Sequence, residues 1–587
     1  MKADALWCVI GILFVSSTTF AQNYERYKPF DPTQINKTLP APNLDVPQEE
    51  SRAAEGDDRV LVSRLDAIVI VDSVDKIRTD GSIDSLQGIH FNFSADHSIV
   101  FGHGARAIYQ QYLDQPVSLR SVNSLVHDLI VHYQKCKQPI VDVQIPEQRI
   151  TGGTLHLVVV ESRIGEVIVE PGCYFSANEL KRWIACTKTG NRIYEPNIES
   201  DLLWLNQNPF SRVAVDFKKG SFPGTTDVIY KSTDVRPIRG YIGADDTGVE
   251  SLNYGRLFTG FTYGNLFGRG GILGYQYTGD EEFSRLQAHA VSYTQPLNRT
   301  WSAQGNASWA GVTPLLLPGF DQSGESWQTS MGLIRHITRR PNEDASWTMG
   351  VDFKSTNNNL EFSGQTVSAS TADLLQLRLG YNHFLRIMEI DEYALLNTAI
   401  FVGPGGGATS AHNEAAFQSI RPGSSPNYVY GTLRIEESRL LGRNNNWQLV
   451  SRFTGQTASE RLLFSEMLGL GGFDTIRGFD QRAYNADNGW IANFEFGPRT
   501  QRWNSSNDTR VWRNFAFCDL GNGYLNSPLP GEDASTFTMS TGLGTRFQIG
   551  NRLICRADYG YGLVDLDNVS RSARLHFGVT WIPGPRP

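Results

Sequence analysis

Residues 468–479 read LGLGGFDTIRGF, and residues 515–523 read FAFCDLGNG. The first run sets one arginine, Arg477, in a glycine-rich loop. The second sets one aspartate, Asp519, among Phe515, Phe517 and Leu520. A carboxylate in an apolar strand is costly unless it faces water or meets a cation. Arg477 is the obvious cation, because a planar guanidinium can grip a carboxylate through two hydrogen bonds. The alternative is an unrelated turn arginine and an aspartate wetted by solvent.

Nothing else in the chain carries comparable chemistry. His103, His127, His132 and His156 are scattered without ligand spacing. The stretch GPGGGATS at 403–410 lacks the lysine of a phosphate loop. The expectation is a non-enzyme with no cofactor and no metal site. A formal net charge of −8 with no long basic block argues against a nucleic-acid partner.

The elements that must position Arg477 and Asp519 follow from the pattern along the chain. Lys2, the apolar stretch Leu6–Val15 and the small residues at Thr19 and Ala21 predict a secretory signal peptide over 1–21. Residues 22–60 are proline-rich and polar, as in a leader or linker, with room for a short helix at Gln48–Glu55. Two α/β modules follow, at 61–163 and 164–236. In the first, strand 61–71 leads to a helix opened by Ser118, with Leu119, Val122, Leu125, Val126, Leu129 and Tyr133 at helical spacing. Strands at 140–146 and 153–161 come next. The second repeats the order, with a strand at 166–170, helices at 176–185 and 197–207, and strands at 212–220 and 226–234. Cys136, Cys173 and Cys186 could form a disulfide in an oxidising periplasm, and their pairing stays open.

From 237 to 587 helical periodicity disappears. Sixteen alternating segments of roughly ten residues, split by Gly, Asn, Asp and Pro turns, match an antiparallel transmembrane β-barrel. In RLICRADYG, Arg552, Ile554, Arg556 and Asp558 share one face and Leu553, Cys555, Ala557 and Tyr559 the other. The charged face must line the lumen. The same logic turns Asp519 and Phe517 inward and Ala516, Cys518 and Leu520 toward lipid, with a whole strand between Cys518 and Cys555.

These features together resemble the two-partner secretion outer-membrane transporters (the TpsB group of haemolysin secretion/activation proteins, ShlB/FhaC/HecB type). VQIPEQRITGGTLHLVVVESRIG (143–165) and LNQNPFSRVAVDFKKGSFPGTTDVIY (205–230) resemble parts of its two POTRA modules. IRGF, Ile476, Arg477, Gly478 and Phe479, matches its loop motif. FCDLG, with Phe517, Asp519 and Gly521, matches its barrel-wall motif. The resemblance implies periplasmic POTRA modules before a 16-stranded barrel in a Gram-negative outer membrane. It implies that the loop between strands eleven and twelve folds into the barrel and that Arg477 pairs with Asp519 on strand thirteen. It implies a monomer, in contact with outer-membrane lipid, that exports an unfolded partner polypeptide, a large β-helical protein. Two departures stand out: a pore-plugging helix has little room before residue 60, and IPGPRP follows the last aromatic residue, Trp581. Two rival readings are an assembly factor that inserts other barrels and a passive porin or receptor.

Overall fold

The computed structural model describes residues 56–583, apart from 78–85, 95–97, 149, 151, 316–319, 363–364, 388–390, 506–507 and 568. The expected signal peptide, the leader up to residue 55 with its short helix, and the tail beyond Pro583 lie outside the described residues. The chain divides into two compact units, one ending at Val235 and one beginning at Arg236.

In the first unit, β1 (Val60–Val62), β2 (Ala67–Val71), β3 (Gly88–Asn92), α1 (His103–Tyr112), β4 (Val117–Ser118), α2 (Leu119–Lys135), β5 (Val141–Gln144) and β6 (Thr154–Glu161) make one module. The sheet order is β3-β2-β6-β5, which leaves β5 at an edge. The single strand expected over 61–71 is instead two. Leu65 N–H bonds Gln115 O and Asp66 N–H bonds Gly153 O, so the chain changes partners between β1, which pairs with β4, and β2. Ser118 caps α2 in a capping box with Ser121. Val122, Leu125, Leu129 and Tyr133 of α2 bury against Ile68, Ile70, Leu155 and Leu157. Leu119, expected on that face, is exposed, since the first helical residue precedes the packed turn.

After Ser162 the chain runs straight into β7 (Arg163–Glu170), then α3 (Ala177–Lys181), α4 (Glu195–Leu205), β8 (Val213–Lys219) and β9 (Thr225–Ser232). Here the order is β7-β9-β8, again with the strand after the last helix at an edge. The helix expected over 176–185 stops at Lys181. The buried Asp201 carboxylate takes the amides of Ala185, Cys186 and Thr187, which replaces helical bonding there. Glu161 accepts from Tyr133 OH at 2.8 Å and pairs with Arg192 at 3.0 Å, tying the two modules together. None of Cys136, Cys173, Cys186, Cys518 and Cys555 is in a disulfide.

The second unit begins with β10 (Ile238–Asp245), β11 (Arg256–Leu266), β12 (Gly271–Asp280), β13 (Leu286–Pro296), β14 (Trp301–Val312) and β15 (Phe320–Arg340). β16 (Glu343–Phe362), β17 (Gln365–Arg386), β18 (Tyr393–Pro404), α5 (Glu414–Ile420), β19 (Asn427–Leu441) and β20 (Trp447–Ala458) follow. Then come a short hairpin, β21 (Leu468–Leu470) and β22 (Tyr484–Ala486), and β23 (Asn488–Pro498), β24 (Gln501–Ser505), β25 (Asp508–Tyr524), β26 (Ser535–Ile549), β27 (Leu553–Gly562) and β28 (Ala573–Trp581). β10–β20 are the first eleven barrel strands. β23 and its continuation β24 both pair with β25 and count as the twelfth; β25–β28 complete sixteen. β28 pairs back onto β10, so the antiparallel sheet is closed.

Closure leaves no unpaired backbone edge for lipid to meet. Alternation then sorts the side chains. On β28, Leu575, Phe577, Val579 and Trp581 are exposed on the outside while His576 is buried inside. On β25, Phe515, Phe517 and Asp519 point inward, with Ala516 and Cys518 outward. Cys518 and Cys555 are separated by β26. Strand length departs most from expectation in one sector: β15, β16 and β17 run 21, 20 and 22 residues. Ladder bonding does not depend on lipid, so these hairpins continue past the span of roughly ten residues that a bilayer requires.

Candidate functional site

The chain between β20 and β23 folds into the barrel rather than away from it. β21 and β22 pair to form its stem, and Gly471, Gly472 and Gly478 take φ of 102°, 108° and 97°, turns that L side chains resist. The stem and tip bury Leu470, Ile476, Phe479, Tyr484 and Ala486 against Ile491 and Leu566. Those side chains need an apolar wall, and the wall offers bare backbone. A Cβ at Gly560 would lie 2.6 Å from Gly478 N, and one at Gly562 would lie 2.5 Å from the Phe479 ring. At Gly521 it would press on Ile476 at 3.0 Å. The glycines on β25 and β27 thus let the loop lie flat on the inner surface.

Arg477 is 3% exposed and Asp519 0%. Arg477 Nε donates to Asp519 Oδ2 at 2.8 Å and Nη2 to Asp519 Oδ1 at 2.8 Å, the two-pronged grip that suits a guanidinium. The Arg477 amide adds a third bond to Oδ2 at 3.1 Å. The guanidinium lies over the Phe517 ring, 3.6 Å from its centroid. The sequence-predicted residues Ile476, Arg477, Gly478, Phe479, Phe517, Asp519 and Gly521 therefore meet at one place on the lumen wall.

Several partners escaped the sequence reading. Arg477 Nη1 also reaches Glu495 of β23 at 2.9 Å and Asp558 of β27 at 3.4 Å. Three carboxylates around one cation would repel each other, but Arg513 pairs with Glu495 at 2.8 Å and Arg546 with Asp558 at 2.8 Å. The cluster holds three guanidinium groups and three carboxylates and balances its own charge. Asn493 donates to Asp519 Oδ1 at 2.9 Å and to Thr475 O at 2.6 Å. Asp558 was already assigned to the lumen by its alternating neighbours. The signal that could have found Glu495 and Asn493 is similar: they alternate on the strand beside the thirteenth and face the same way as Asp519.

The other limb of the loop is held on a different wall. Glu466 accepts from Lys354 on β16 at 2.5 Å, Gln376 on β17 at 3.1 Å and Tyr430 on β19 at 2.7 Å. Near its root, Arg421 grips Asp487 through bonds of 2.6 and 3.1 Å. The loop therefore reaches from the seventh, eighth and tenth strands to the twelfth, thirteenth and fifteenth, inside the cylinder. Among the described residues no group of three or more His, Cys, Asp or Glu side chains is arranged to hold a metal ion.

Comparison with known proteins finds relatives of the chain. The family described as haemolysin secretion/activation protein ShlB/FhaC/HecB matches residues 224–547, and the ShlB-type POTRA domain matches residues 91–162. The heme/hemopexin transporter protein HuxB of Haemophilus influenzae is 20% identical over 399 residues, 66% of this chain and 68% of that one. The outer membrane transporter CdiB of Dickeya dadantii is 22% identical over 494 residues, 81% of each chain. The solved structure of CdiB from Escherichia coli aligns with a TM-score of 0.62 at 18% identity, covering 94% of this chain and 96% of that one, a likeness of fold.

Proposed function

This chain belongs to the haemolysin secretion/activation family, ShlB/FhaC/HecB, and from that premise we propose that its inward loop is the working part of a polypeptide exporter. The protein is an outer-membrane transporter of two-partner secretion, with its POTRA modules in the periplasm. We assign those modules to 61–163 and 164–236 and the barrel to 237–587.

The partner is a secreted polypeptide, and in our reading it is a large β-helical protein that arrives unfolded. β5 and β8 are edge strands, the position from which a sheet accepts an extended chain by strand addition. The chain then enters the lumen. No energy source is required inside the barrel if folding of the partner outside draws it across.

The observation that carries this reading is the two-pronged bond from Arg477 to Asp519 on a wall stripped to glycine. A buried ion pair gives little net stability once desolvation is subtracted, but it fixes geometry. Arg477 and Asp519 hold the loop in one position against the thirteenth strand, where the lumen stays lined by charge. The test is export of the cognate partner by Arg477→Ala and Asp519→Ala. The expected result is a folded, membrane-inserted barrel that exports poorly; normal export by either variant refutes the role.

A further inference from the structure

The hold on the loop extends beyond the Arg477 cluster. Gly478 N–H points at His576 Nε2 on β28, 3.2 Å away, and the other ring nitrogen lies 3.0 Å from Asp246 Oδ2. A backbone N–H can only donate. Nε2 therefore accepts, and the ring proton sits on Nδ1, shared with Asp246. Ser572 Oγ donates to Gly478 O at 2.8 Å, so both polar groups of this loop residue are bound by the last strand or its approach.

Asp246 immediately follows β10, the strand that closes the barrel against β28. That seam is short: four residue pairs, from Ile242–Trp581 to Asp245–Gly578, where β10 and β11 share eight. Asp246 prolongs it. Its N–H reaches Phe577 O at 3.3 Å, and Phe577 N–H donates to its Oδ1 at 2.9 Å. Arg574 donates to Asp246 O at 3.2 Å, lies 3.6 Å from its carboxylate and also pairs with Asp480 of the loop.

We infer that His576 is a positioning residue that ties the inward loop to the barrel's closing seam, through one imidazole bonded to Gly478 on one side and Asp246 on the other. The ring is buried, and one neutral tautomer satisfies both neighbours. The charged groups around the ring are Asp246 after β10, Asp558 opposite it in register on β27, Arg574 on its own strand, and Arg477 and Asp480 of the loop. The consequence for export rests on the loop role proposed above; the tie itself does not.

The test is hydrogen exchange on the full-length protein in lipid nanodiscs, corrected for intrinsic rates. It follows the loop (476–480), the seam (242–246 and 576–581) and, as control, the β2–β6 ladder of the first module. His576→Ala is expected to raise exchange at loop and seam together by roughly tenfold, the worth of about one hydrogen bond, with the control unchanged. His576→Gln keeps an acceptor and is expected to stay within about twofold of wild type. Exchange that rises in the loop alone, rises evenly over every strand, or ignores the substitution overturns the inference. If His576→Ala does not fold, His576→Phe decides by the same reading, since it keeps a ring and removes both nitrogens. Seam coupling that persists in a protein whose loop variants export normally would remove the loop's export role and leave the tie standing.

Discussion

The first POTRA module and the barrel bury their side chains in opposite senses. In the module, Ile68, Ile70, Leu125, Leu129 and Leu155 meet between helix and sheet, and the polar groups face out. In the barrel, Leu575, Phe577 and Val579 face out, and Arg477, Glu495, Asp519 and Asp558 meet inside. Apolar packing is non-directional and tolerates a swap of similar volume. The charged cluster is directional, and each group is there because of a particular partner. The barrel wall, moreover, stands on ladder bonds that do not involve the cluster. Loss of a core residue should therefore melt the module, whereas loss of a cluster residue should displace the loop and leave the wall intact.

The strongest way to break that contrast is the charge-swapped pair Arg477→Asp with Asp519→Arg. Were the two residues isolated partners, the swap would restore export. With Glu495 and Asp558 also bonded to Arg477, an aspartate at 477 faces two carboxylates, so the swap should export no better than either single change. Recovery of export would reduce the cluster to one pair.

Next is Asp519→Ala alone. It leaves a buried guanidinium short of its main partner, a loss of about 3–5 kcal/mol in loop anchoring. Proteolysis should cut within 468–487 while heat-modifiable migration of the barrel persists. Unfolding of the wall would mean that the cluster supports the cylinder itself.

On the apolar side, Leu129→Ala should cost about 2–5 kcal/mol through lost transfer energy and a cavity. Proteolysis should open the module between β2 and β6 and leave the barrel signal unchanged. A local, graded loosening in place of loss of the module would weaken the contrast.

The smallest expected effect concerns pH. His156 lies within β6, and burial pushes its ring's pKa below the usual imidazole value. The folded module resists a proton that the unfolded chain accepts, so stability is complete above about pH 6.5 and falls as pH drops below it. Module proteolysis at about pH 5 should exceed that at about pH 7.5, and His156→Gln should flatten the difference. No pH response in the wild type would show that the ring gains water when the module breathes.

The strand count and the inward face of β25 and β27 were legible because each rests on local information. Alternation reports facing, but the residues alone left Arg477 and Asp519 either paired or unrelated, because 42 residues separate them, and only the fold sets them 2.8 Å apart. The break between β1 and β2 was not legible, since it depends on Gln115 and Gly153, which are remote in sequence. The early stop of α3 depends likewise on Asp201. Glu466 gave no signal at all: its partners Lys354, Gln376 and Tyr430 lie on three strands that only barrel closure brings around the loop.

The sequence by itself determined the alternation, the turns, the glycine-lined strands and the two motif residues that need each other, because period and residue chemistry are properties of neighbours along the chain. The tertiary structure alone decided that Arg477 serves three carboxylates, that Glu466 anchors the opposite limb and that His576 and Asp246 join the loop to the seam. Those bonds link strands up to fifteen places apart in order. A closed cylinder makes the first and last strands adjacent, and no local pattern encodes which lumen side chains then come within hydrogen-bonding distance.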